Sequence, residues 1–373
     1  MIPFVRPTLF DFEAVIGEFR QAWESGIVTT GSFTRQFEMA VEEKLHVPHA
    51  IMVQSCTAGL MLVLRALDVT GEVILPAYTW TATAHAVMWN GLTPVFADIT
   101  PGSYVLDPQA VVRCITPHTS AVMPVNVFGC PPDYEAFDQI AREYNLAVIY
   151  DSAQGLGSQY QTRDGAWHYA GGFGDAEIFS LSPTKVVSAM EGGLITTRNP
   201  QLAQILRQMR DYGKTPDCED IAWLGLSARV PEINAIVARH NFARMDELID
   251  RRQELICLYK ATLGQLPGVS YQTIPTRCQS SGNYFVLFID EAKARFSRDE
   301  VLSYLKELDI LAKKYFYPAL HRQKIYQELG GAYCGKLPVT ETAAAQALAL
   351  PLYSHMGDET VAKVGKALKV IMQ

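Results

Sequence analysis

Short apolar runs alternate with amphipathic segments through the first part of the chain, and this alternation limits the fold more than any other feature. Strands separated by helices favour a largely parallel sheet with helices on both faces, so we predict an α/β fold. Ligands of such sheets bind beyond the carboxyl ends of the strands. The predicted strands are residues 50–54, 72–76, 93–98, 121–125 and 146–151, and the predicted helices are 11–25, 33–45, 60–67, 81–90 and 133–144.

The pattern changes in the second half of the chain. A continuous helix is predicted from Pro231 to beyond Leu258, with Arg251 and Arg252 in solvent, and it is expected to bridge two domains. Further predicted elements are a strand over 283–289, a helix over 297–308 that begins with a capping box, and a final helix over 358–372. We therefore expect a large domain, 1–245, and a small C-terminal domain, 246–373.

Composition excludes several classes of function. The chain has 373 residues, of which 49% are hydrophobic, and a net charge of −7, which argues against nucleic-acid binding. Seven cysteines without a C-x-x-C pair predict neither a disulfide framework nor a zinc site, and the histidines lack metal-ligand spacing. No basic leader and no apolar stretch of about 18 residues is found, so we expect a cytoplasmic protein without membrane contact.

Lys185 and Asp151 are the candidate catalytic pair. Lys185 lies on a polar turn after an apolar run, and Asp151 ends the predicted strand 146–151. An enzyme that uses pyridoxal 5′-phosphate needs a lysine to form a Schiff base and an aspartate to keep the pyridine nitrogen protonated. The alternatives are a solvated lysine and an aspartate that caps a helix.

Four further features have the residue types that bind this cofactor. The turn Ser55–Gly59 precedes a helix whose free amides suit a phosphate, and Ser180 lies five residues before Lys185. Gln154 follows Asp151 closely, and Trp80 follows a strand where an aromatic ring can stack on a planar cofactor. Two of them have a plain alternative: close packing of small residues for the turn, and the protein core for the aromatic. Their joint occurrence in one chain order favours the cofactor site.

The motifs in this order resemble those of the DegT/DnrJ/EryC1/StrS family of pyridoxal-phosphate sugar aminotransferases, over nearly the whole chain. The resemblance implies fold type I, with a large domain built on a mostly parallel seven-stranded type of sheet and a smaller α+β C-terminal domain. It also implies a homodimer with shared active sites. The motifs are Ser55-Cys56-Thr57-Ala58, Pro76-Ala77-Tyr78-Thr79-Trp80, Pro124-Val125-Asn126-Val127-Phe128-Gly129, Asp151-Ser152-Ala153-Gln154, Ser180-Leu181-Ser182-Pro183-Thr184-Lys185, Glu191-Gly192-Gly193, Gly225-Leu226-Ser227-Ala228-Arg229 and Leu350-Pro351-Leu352-Tyr353.

The same resemblance implies a role for each matching residue. Lys185 carries the cofactor as a Schiff base, Asp151 pairs with the pyridine nitrogen, and Gln154 lies near the phenolic oxygen. The cofactor phosphate is expected to contact Cys56, Thr57, Ala58, Ser180 and, from the partner subunit, the position of Ser227; Trp80 stacks on the ring. Candidate substrate contacts are Arg229, Tyr317 and His321, although an ordinary ion pair for Arg229 and a surface location for His321 are equally open.

Three positions differ from the family pattern. Ser227 replaces an asparagine, Asn126 replaces a frequent histidine, and Cys56 replaces a glycine. Lys185 is intact, which argues against the dehydratase branch of the family, where histidine takes this position.

We expect transfer of an amino group from an amino acid to a nucleotide-linked keto-deoxysugar, with L-glutamate as the expected donor. The stretch 313–318 is similar to that of members that act on dTDP-linked 4-keto or 3-keto 6-deoxyhexoses. Two alternatives remain at this stage: a keto-cyclitol aminotransferase and a non-catalytic protein that binds the cofactor.

Overall fold

The computed structural model describes residues 1–328, 332–333 and 335–372. Short 3₁₀ turns span Phe12–Ala14, Val127–Gly129 and Leu320–Arg322. The helices are α1 (Ile16–Ser25), α2 (Ser32–Leu45), α3 (Cys56–Ala66), α4 (Ala82–Trp89), α5 (Pro108–Cys114), α6 (Tyr134–Tyr144), α7 (Pro200–Met209), α8 (Glu232–Ala243), α9 (Met245–Leu263), α10 (Arg298–Glu307), α11 (Lys324–Glu328), α12 (Pro338–Gln346) and α13 (Asp358–Met372). The strands are β1 (His49–Val53), β2 (Glu72–Pro76), β3 (Thr93–Ala97), β4 (Thr119–Val122), β5 (Ala147–Asp151), β6 (Gln159–Gln161), β7 (Trp167–Tyr169), β8 (Ala176–Ser180), β9 (Gly193–Thr197), β10 (Val269–Tyr271), β11 (Cys278–Gln279), β12 (Phe285–Ile289), β13 (Ala332–Tyr333) and β14 (Ala347–Leu350).

A large sheet carries the first half of the chain, in the strand order β1-β9-β8-β5-β4-β2-β3-β13. Its neighbouring strands are parallel except for β9, which runs antiparallel to both β1 and β8. Its central strands are apolar on both faces, as β2 shows: Ile74 joins one hydrophobic cluster, and Val73 and Leu75 join the other. The predicted fold, a mostly parallel sheet covered by helices on both faces, is confirmed; β13 adds an eighth strand.

A second, antiparallel sheet has the order β10-β12-β14. The side chains of β12 alternate between two cores. Phe285, Leu287 and Ile289 join a cluster with residues of α9, α10 and α13. Val286 and Phe288 instead join a cluster that contains residues of the large-sheet half. The small sheet is therefore held against the first half of the chain by one face.

Segments from both halves cross the predicted boundary at residue 245. Ile2 bridges Ile310, and β13 pairs with β3 at the edge of the large sheet. The division into domains 1–245 and 246–373 stays a prediction, and these two pairings cross its boundary.

Two predictions for the region after Pro231 are wrong. The long helix is two helices, because Arg244 leaves the helical conformation (φ −99°, ψ 10°) between α8 and α9. The apolar spacing continues through both helices, so the sequence pattern hides this break. Arg252 is also not in solvent: its side chain is 1% exposed, and its Nη1 donates to the carbonyl of Asn283 at 3.0 Å.

Other predictions for this half are confirmed. Ser297 caps α10 through the predicted capping box with Glu300, and α13 spans the predicted residues. No helix in the described part of the chain is long and apolar enough to cross a membrane. The same residues contain no group of side chains suited to a metal ion. No disulfide joins two of the described cysteines, and Cys334 lies outside the described residues.

Candidate active site

A cavity of about 300 Å³ opens at the carboxyl ends of the strands of the large sheet. Its walls come from the ends of β5 and β8, the start of α3 and aromatic residues of the second half of the chain. The predicted residues Cys56, Thr57, Trp80, Asp151, Gln154, Ser180 and Lys185 all line it. The other lining residues are Ser55, Thr79, Ala82, Val125, Ala153, Ser182, Thr184, Glu191, Gly192, Tyr284, Tyr315 and Phe316.

Asp151 is a buried carboxylate at the end of β5, with 3% exposure. It accepts hydrogen bonds from the hydroxyl of Thr83 (2.6 Å) and the amide of Ala153 (3.1 Å). Among the described residues it has no salt-bridge partner. Burial raises the pKa of Asp151, and the Thr83 and Ala153 hydrogen bonds and the charge of Lys185 only partly oppose this shift. The helix-capping alternative for Asp151 is wrong, since no helix follows β5 directly.

Lys185 lies on the turn after β8 and is half-buried. Its amide donates to the carbonyl of Ser182 (3.0 Å), and Leu181 is tied to the carbonyl of Gly192 (2.9 Å), so backbone bonds fix the turn. Its Nζ lies 5.9 Å from the centre of the Tyr284 ring. The amine and the buried carboxylate therefore share one cavity.

The start of α3 forms the end of the cavity that suits a phosphate. Cys56 and Thr57 begin the helix, where amides lack partners within the helix. The amide of Ala58 instead donates to Ser55, which caps the helix, and Ala58 does not line the cavity. A side chain at Gly193 would overlap the backbone of Ser55, so the glycine allows β9 to approach this turn.

Cys56 also lies below the cavity, against Asp151. Its thiol is 3.9 Å from Asp151 Oδ1 and 3.8 Å from the carbonyl oxygen of Ile178. Burial raises the pKa of the Cys56 thiol well above its ordinary value, so it is a neutral S–H group and not a nucleophile.

Gln154 has its amide oriented by the backbone. Its Oε1 accepts a 2.8 Å hydrogen bond from the amide of Phe128. Because the Phe128 N–H requires an acceptor, the side-chain amide of Gln154 must place its oxygen there. Its NH₂ group then remains available for an acceptor in the cavity. A donor at this place fits a phenolic oxygen.

Several residues of the site were missed in the sequence analysis. Thr83, which contacts Asp151 from α4, is marked by no motif, and the cavity residues Tyr284 and Tyr315 come from the second half of the chain. Trp80 is 56% exposed and stands 6.1 Å from Tyr315, ring centre to ring centre. The Trp80–Tyr315 pair forms an aromatic wall, whereas Tyr78 is buried in the core.

Besides Ala58, four predicted residues lie outside this cavity. Ser227 is exposed, and Arg229 forms an ion pair with Asp211 (3.1 Å). His321 is buried, so the surface alternative is wrong, and its Nε2 lies 3.2 Å from Glu341 Oε1. Tyr317 lines a neighbouring cavity of about 200 Å³ that shares Trp80 and Tyr315 with the first one.

The residues present fit pyridoxal 5′-phosphate. A buried carboxylate without a cationic partner suits a pyridinium, the α3 start suits a phosphate, and an amine shares the same cavity. Together with the sheet, these features define an aminotransferase-like pyridoxal-phosphate enzyme of fold type I.

Comparisons with known proteins give the same class. Residues 11–369 match the DegT/DnrJ/EryC1/StrS aminotransferase family. The chain is 31% identical over 368 residues to the dTDP-4-amino-4,6-dideoxy-D-glucose transaminase of Escherichia coli, and the match covers 98% of each. DesI, solved in the presence of its TDP-sugar product, shares 34% identity with a TM-score of 0.92, over 99% of this chain and 92% of that one. A Streptococcus pneumoniae protein in its PLP form shares 25% identity with a TM-score of 0.89, over 100% and 98%.

The chain belongs to the DegT/DnrJ/EryC1/StrS aminotransferase family. The predicted family, enzyme class and cofactor are confirmed.

Proposed function

We propose that this protein transfers an amino group from an amino acid, with L-glutamate as the first candidate, to a nucleotide-linked keto-deoxysugar. The observation that carries the proposal is the shared cavity of Lys185 and Asp151. The Escherichia coli relative and DesI support the sugar nucleotide, since both are named for dTDP- or TDP-linked sugars. A dTDP-linked 4-keto or 3-keto 6-deoxyhexose is therefore the proposed acceptor.

When bound, pyridoxal 5′-phosphate supplies a carbonyl that takes up the amino group and a ring that accepts electrons. Residues of the chain would hold its phosphate and its ring nitrogen in place. In this proposal the amides of Cys56 and Thr57 and the hydroxyl of Ser180 hold the phosphate. Asp151 holds the proton on the ring nitrogen, because a cation beside it removes the penalty of a lone buried carboxylate.

Lys185 is proposed to move the reacting proton. Its amine takes the proton from the α-carbon of the amino acid in one half-reaction and returns a proton to the sugar carbon in the other. The turn that carries Lys185 is fixed by backbone hydrogen bonds to Ser182 and by its closure on Gly192. The backbone of Lys185 is therefore fixed, and only its side chain has to move during the proton transfer.

The cavity beside Tyr317 is the proposed binding site for the nucleotide part of the substrate. It is lined by Trp80, Tyr317 and the cations Lys313 and Lys314, and it opens next to the Lys185 cavity. Aromatic faces and cations suit a base and a diphosphate. Roles for Arg229 and His321 in substrate binding stay predictions.

A homodimer is the proposed assembly. An apolar surface formed by Leu9, Phe12, Trp23, Met190 and Ile233 lies exposed, and Met190 directly precedes the cavity residue Glu191. Trp23 alone is 80% exposed. Light scattering after gel filtration should give twice the chain mass for the wild type, and Trp23→Glu should shift the protein toward the monomer.

The decisive experiment supplies the holoenzyme with L-glutamate and then with separate keto substrates. We expect 2-oxoglutarate in the first stage and an aminated nucleotide sugar in the second, identified by mass and by the position of the new amine. Lys185→Ala should abolish both stages, whereas Lys306→Ala, an exposed lysine of α10, should behave as wild type. Amination of keto-cyclitols alone would contradict the proposed acceptor. No 2-oxoglutarate from any holoenzyme preparation would favour the non-catalytic alternative.

A further inference from the structure

Glu177 is a buried acid that the proposed reaction does not use. It lies on β8 opposite Tyr150 of β5, and its exposure is 0%. Its Oε1 accepts hydrogen bonds from the amides of Gly171 (2.6 Å) and Phe173 (3.0 Å). Its Oε2 contacts two hydroxyls, and these contacts belong to a closed ring of polar groups.

The ring has four members. Glu177 Oε2 lies 2.9 Å from the Ser152 hydroxyl and 3.2 Å from the Tyr134 hydroxyl. The side-chain amide of Asn126 closes the circle, 3.1 Å from Ser152 Oγ and 3.2 Å from the Tyr134 hydroxyl oxygen. All four residues are buried.

Counting protons shows what this ring requires. Four contacts need four protons, but Ser152 has one, Tyr134 has one and the Asn126 amide contributes one at its nitrogen contact. Turning the Asn126 amide round does not change this count, because only one of its two contacts then involves nitrogen. The fourth proton must come from the carboxyl of Glu177. If Glu177 were ionised, two buried oxygens of the ring would face each other without a proton between them.

The ring is joined to the wall of the active-site cavity. The backbone N–H of Asn126 donates to the backbone carbonyl of Asp151 (3.1 Å), and the backbone N–H of Asp151 donates to the carbonyl of Pro124 (2.9 Å). Ser152 follows Asp151, and Val125, which precedes Asn126, lines the cavity. The ring therefore ties together the two strand ends that carry Val125 and Asp151.

We propose that Glu177 is a positioning residue which the folded enzyme holds as a neutral carboxylic acid in mildly acidic solution. Its proton closes the ring and thereby fixes the backbone that carries Asp151. The role through Asp151 rests on the proposed function, whereas the neutral state of Glu177 does not.

The surroundings of Glu177 favour the neutral acid. Burial raises the pKa of Glu177 to about 7, although its four donors oppose the shift. Among the described residues it has no salt-bridge partner. Arg198 Nε donates instead to the carbonyl of Gly172, between the two residues whose amides donate to Glu177. Two titratable groups interact with Glu177 directly, Tyr134 on α6 and Tyr150 on β5. Farther away, Asp133, Asp138 and Tyr160 interact with Tyr150, Asp175 interacts with Asp138, and Asp151 follows Tyr150 on β5.

Infrared spectroscopy of the holoenzyme tests the protonation state directly. We expect the carbonyl stretch of a protonated carboxylic acid at pH 6, its loss as the pH rises through about 7, and its absence in Glu177→Gln. Glu307→Gln, an exposed acid of α10, is the matched control and should keep the band. A wild-type spectrum without a titrating acid band in this range would overturn the proposal. This holds even if the variants fail to fold.

Binding of pyridoxal 5′-phosphate tests the positioning role. In the wild type the affinity should fall about fivefold as the pH rises through about 7, because one ring hydrogen bond is lost. Glu177→Gln, which stays neutral, should lack this step, and Glu307→Gln should show it. Equal pH profiles for wild type and Glu177→Gln would overturn the positioning role. If no protein bound the cofactor, the proposed function would fail while the infrared result would stand.

Discussion

Asp151 and Arg252 are both buried charged groups, yet the protein surrounds them in opposite ways. Arg252 lies in α9 at 1% exposure and donates to the Ser354 hydroxyl (3.0 Å) and to the carbonyl of Asn283 (3.0 Å). Burial lowers the pKa of Arg252 to about 10. Asp151 accepts hydrogen bonds from the Thr83 hydroxyl and the Ala153 amide and has the neutral Cys56 thiol at 3.9 Å, and it lines an open cavity.

This difference separates a structural charge, Arg252, from Asp151, to which the proposed function gives a role in cofactor binding. Arg252 Nε and Nη1 donate to fixed groups of the folded chain, so the guanidinium ties α9 to the segments before β12 and after β14. Burial raises the pKa of Asp151, since the nearby charge of Lys185 only partly offsets it, and the cofactor would supply a cation beside the carboxylate. A substitution at Arg252 should therefore reduce stability, and one at Asp151 should reduce activity.

The largest effect is expected for Asp151→Asn. Loss of the charge beside the ring nitrogen should lower the transamination rate by at least about 10²-fold. The free energy of unfolding of the apoenzyme should not fall. The pKa of Asp151 is higher in the folded than in the unfolded state. Its contribution to stability is therefore fully present below the pKa of the unfolded state, and it is lost as the pH rises through the pKa of the folded state.

Urea unfolding of the apoenzyme provides the check on Asp151→Asn. At neutral pH the variant should be as stable as the wild type or more stable, and the difference should vanish below about pH 3.9, where both states of the wild type are protonated. A marked loss of stability at neutral pH would place Asp151 in the same structural class as Arg252.

Arg252→Ala should give the opposite result. Removing the guanidinium leaves the carbonyl of Asn283 without its donor and opens a gap in the core, so the free energy of unfolding should fall by about 3 kcal/mol. The adjacent Arg251 is a matched control: it pairs with Glu254 and Asp358 near the surface, and Arg251→Ala should cost less than about 1 kcal/mol. Equal losses for the two variants would contradict the comparison.

The sequence predicted the Asp151 site better than the Arg252 site for a physical reason. Parallel strands place their carboxyl ends at one edge, so local patterns at Asp151, Ser180 and Lys185 were enough to bring these residues together. Arg252 reads as one more charged position on an amphipathic helix. Its burial depends on carbonyl and hydroxyl groups 31 and 102 positions away, which no local pattern records. Thr83 and Tyr284 escaped prediction for the same reason.

Thr83→Val tests whether Asp151 depends on its single side-chain oxygen donor. The Thr83 hydroxyl donates to Asp151 Oδ2 at 2.6 Å, so its loss should raise the pKa of Asp151 further. The expected decrease in kcat/KM is about tenfold, or about 1.4 kcal/mol, and it should be larger at low pH, where more of Asp151 becomes protonated. A decrease that is independent of pH would show that Thr83 acts by packing and not through the carboxylate.

The smallest effect is expected for Ser297→Ala, at a structural site in the same half of the chain as Arg252. Ser297 caps α10, with its hydroxyl bound to the amide of Glu300 and the Glu300 carboxylate bound back to the Ser297 amide. Loss of this cap should lower the free energy of unfolding by about 1 kcal/mol and leave transamination unchanged. Activity measured under conditions where the variant is fully folded provides the check. A change in KM for the keto sugar would show that α10 also shapes the cavity beside Tyr317, through Arg298, which lies 4.8 Å from the Tyr317 ring.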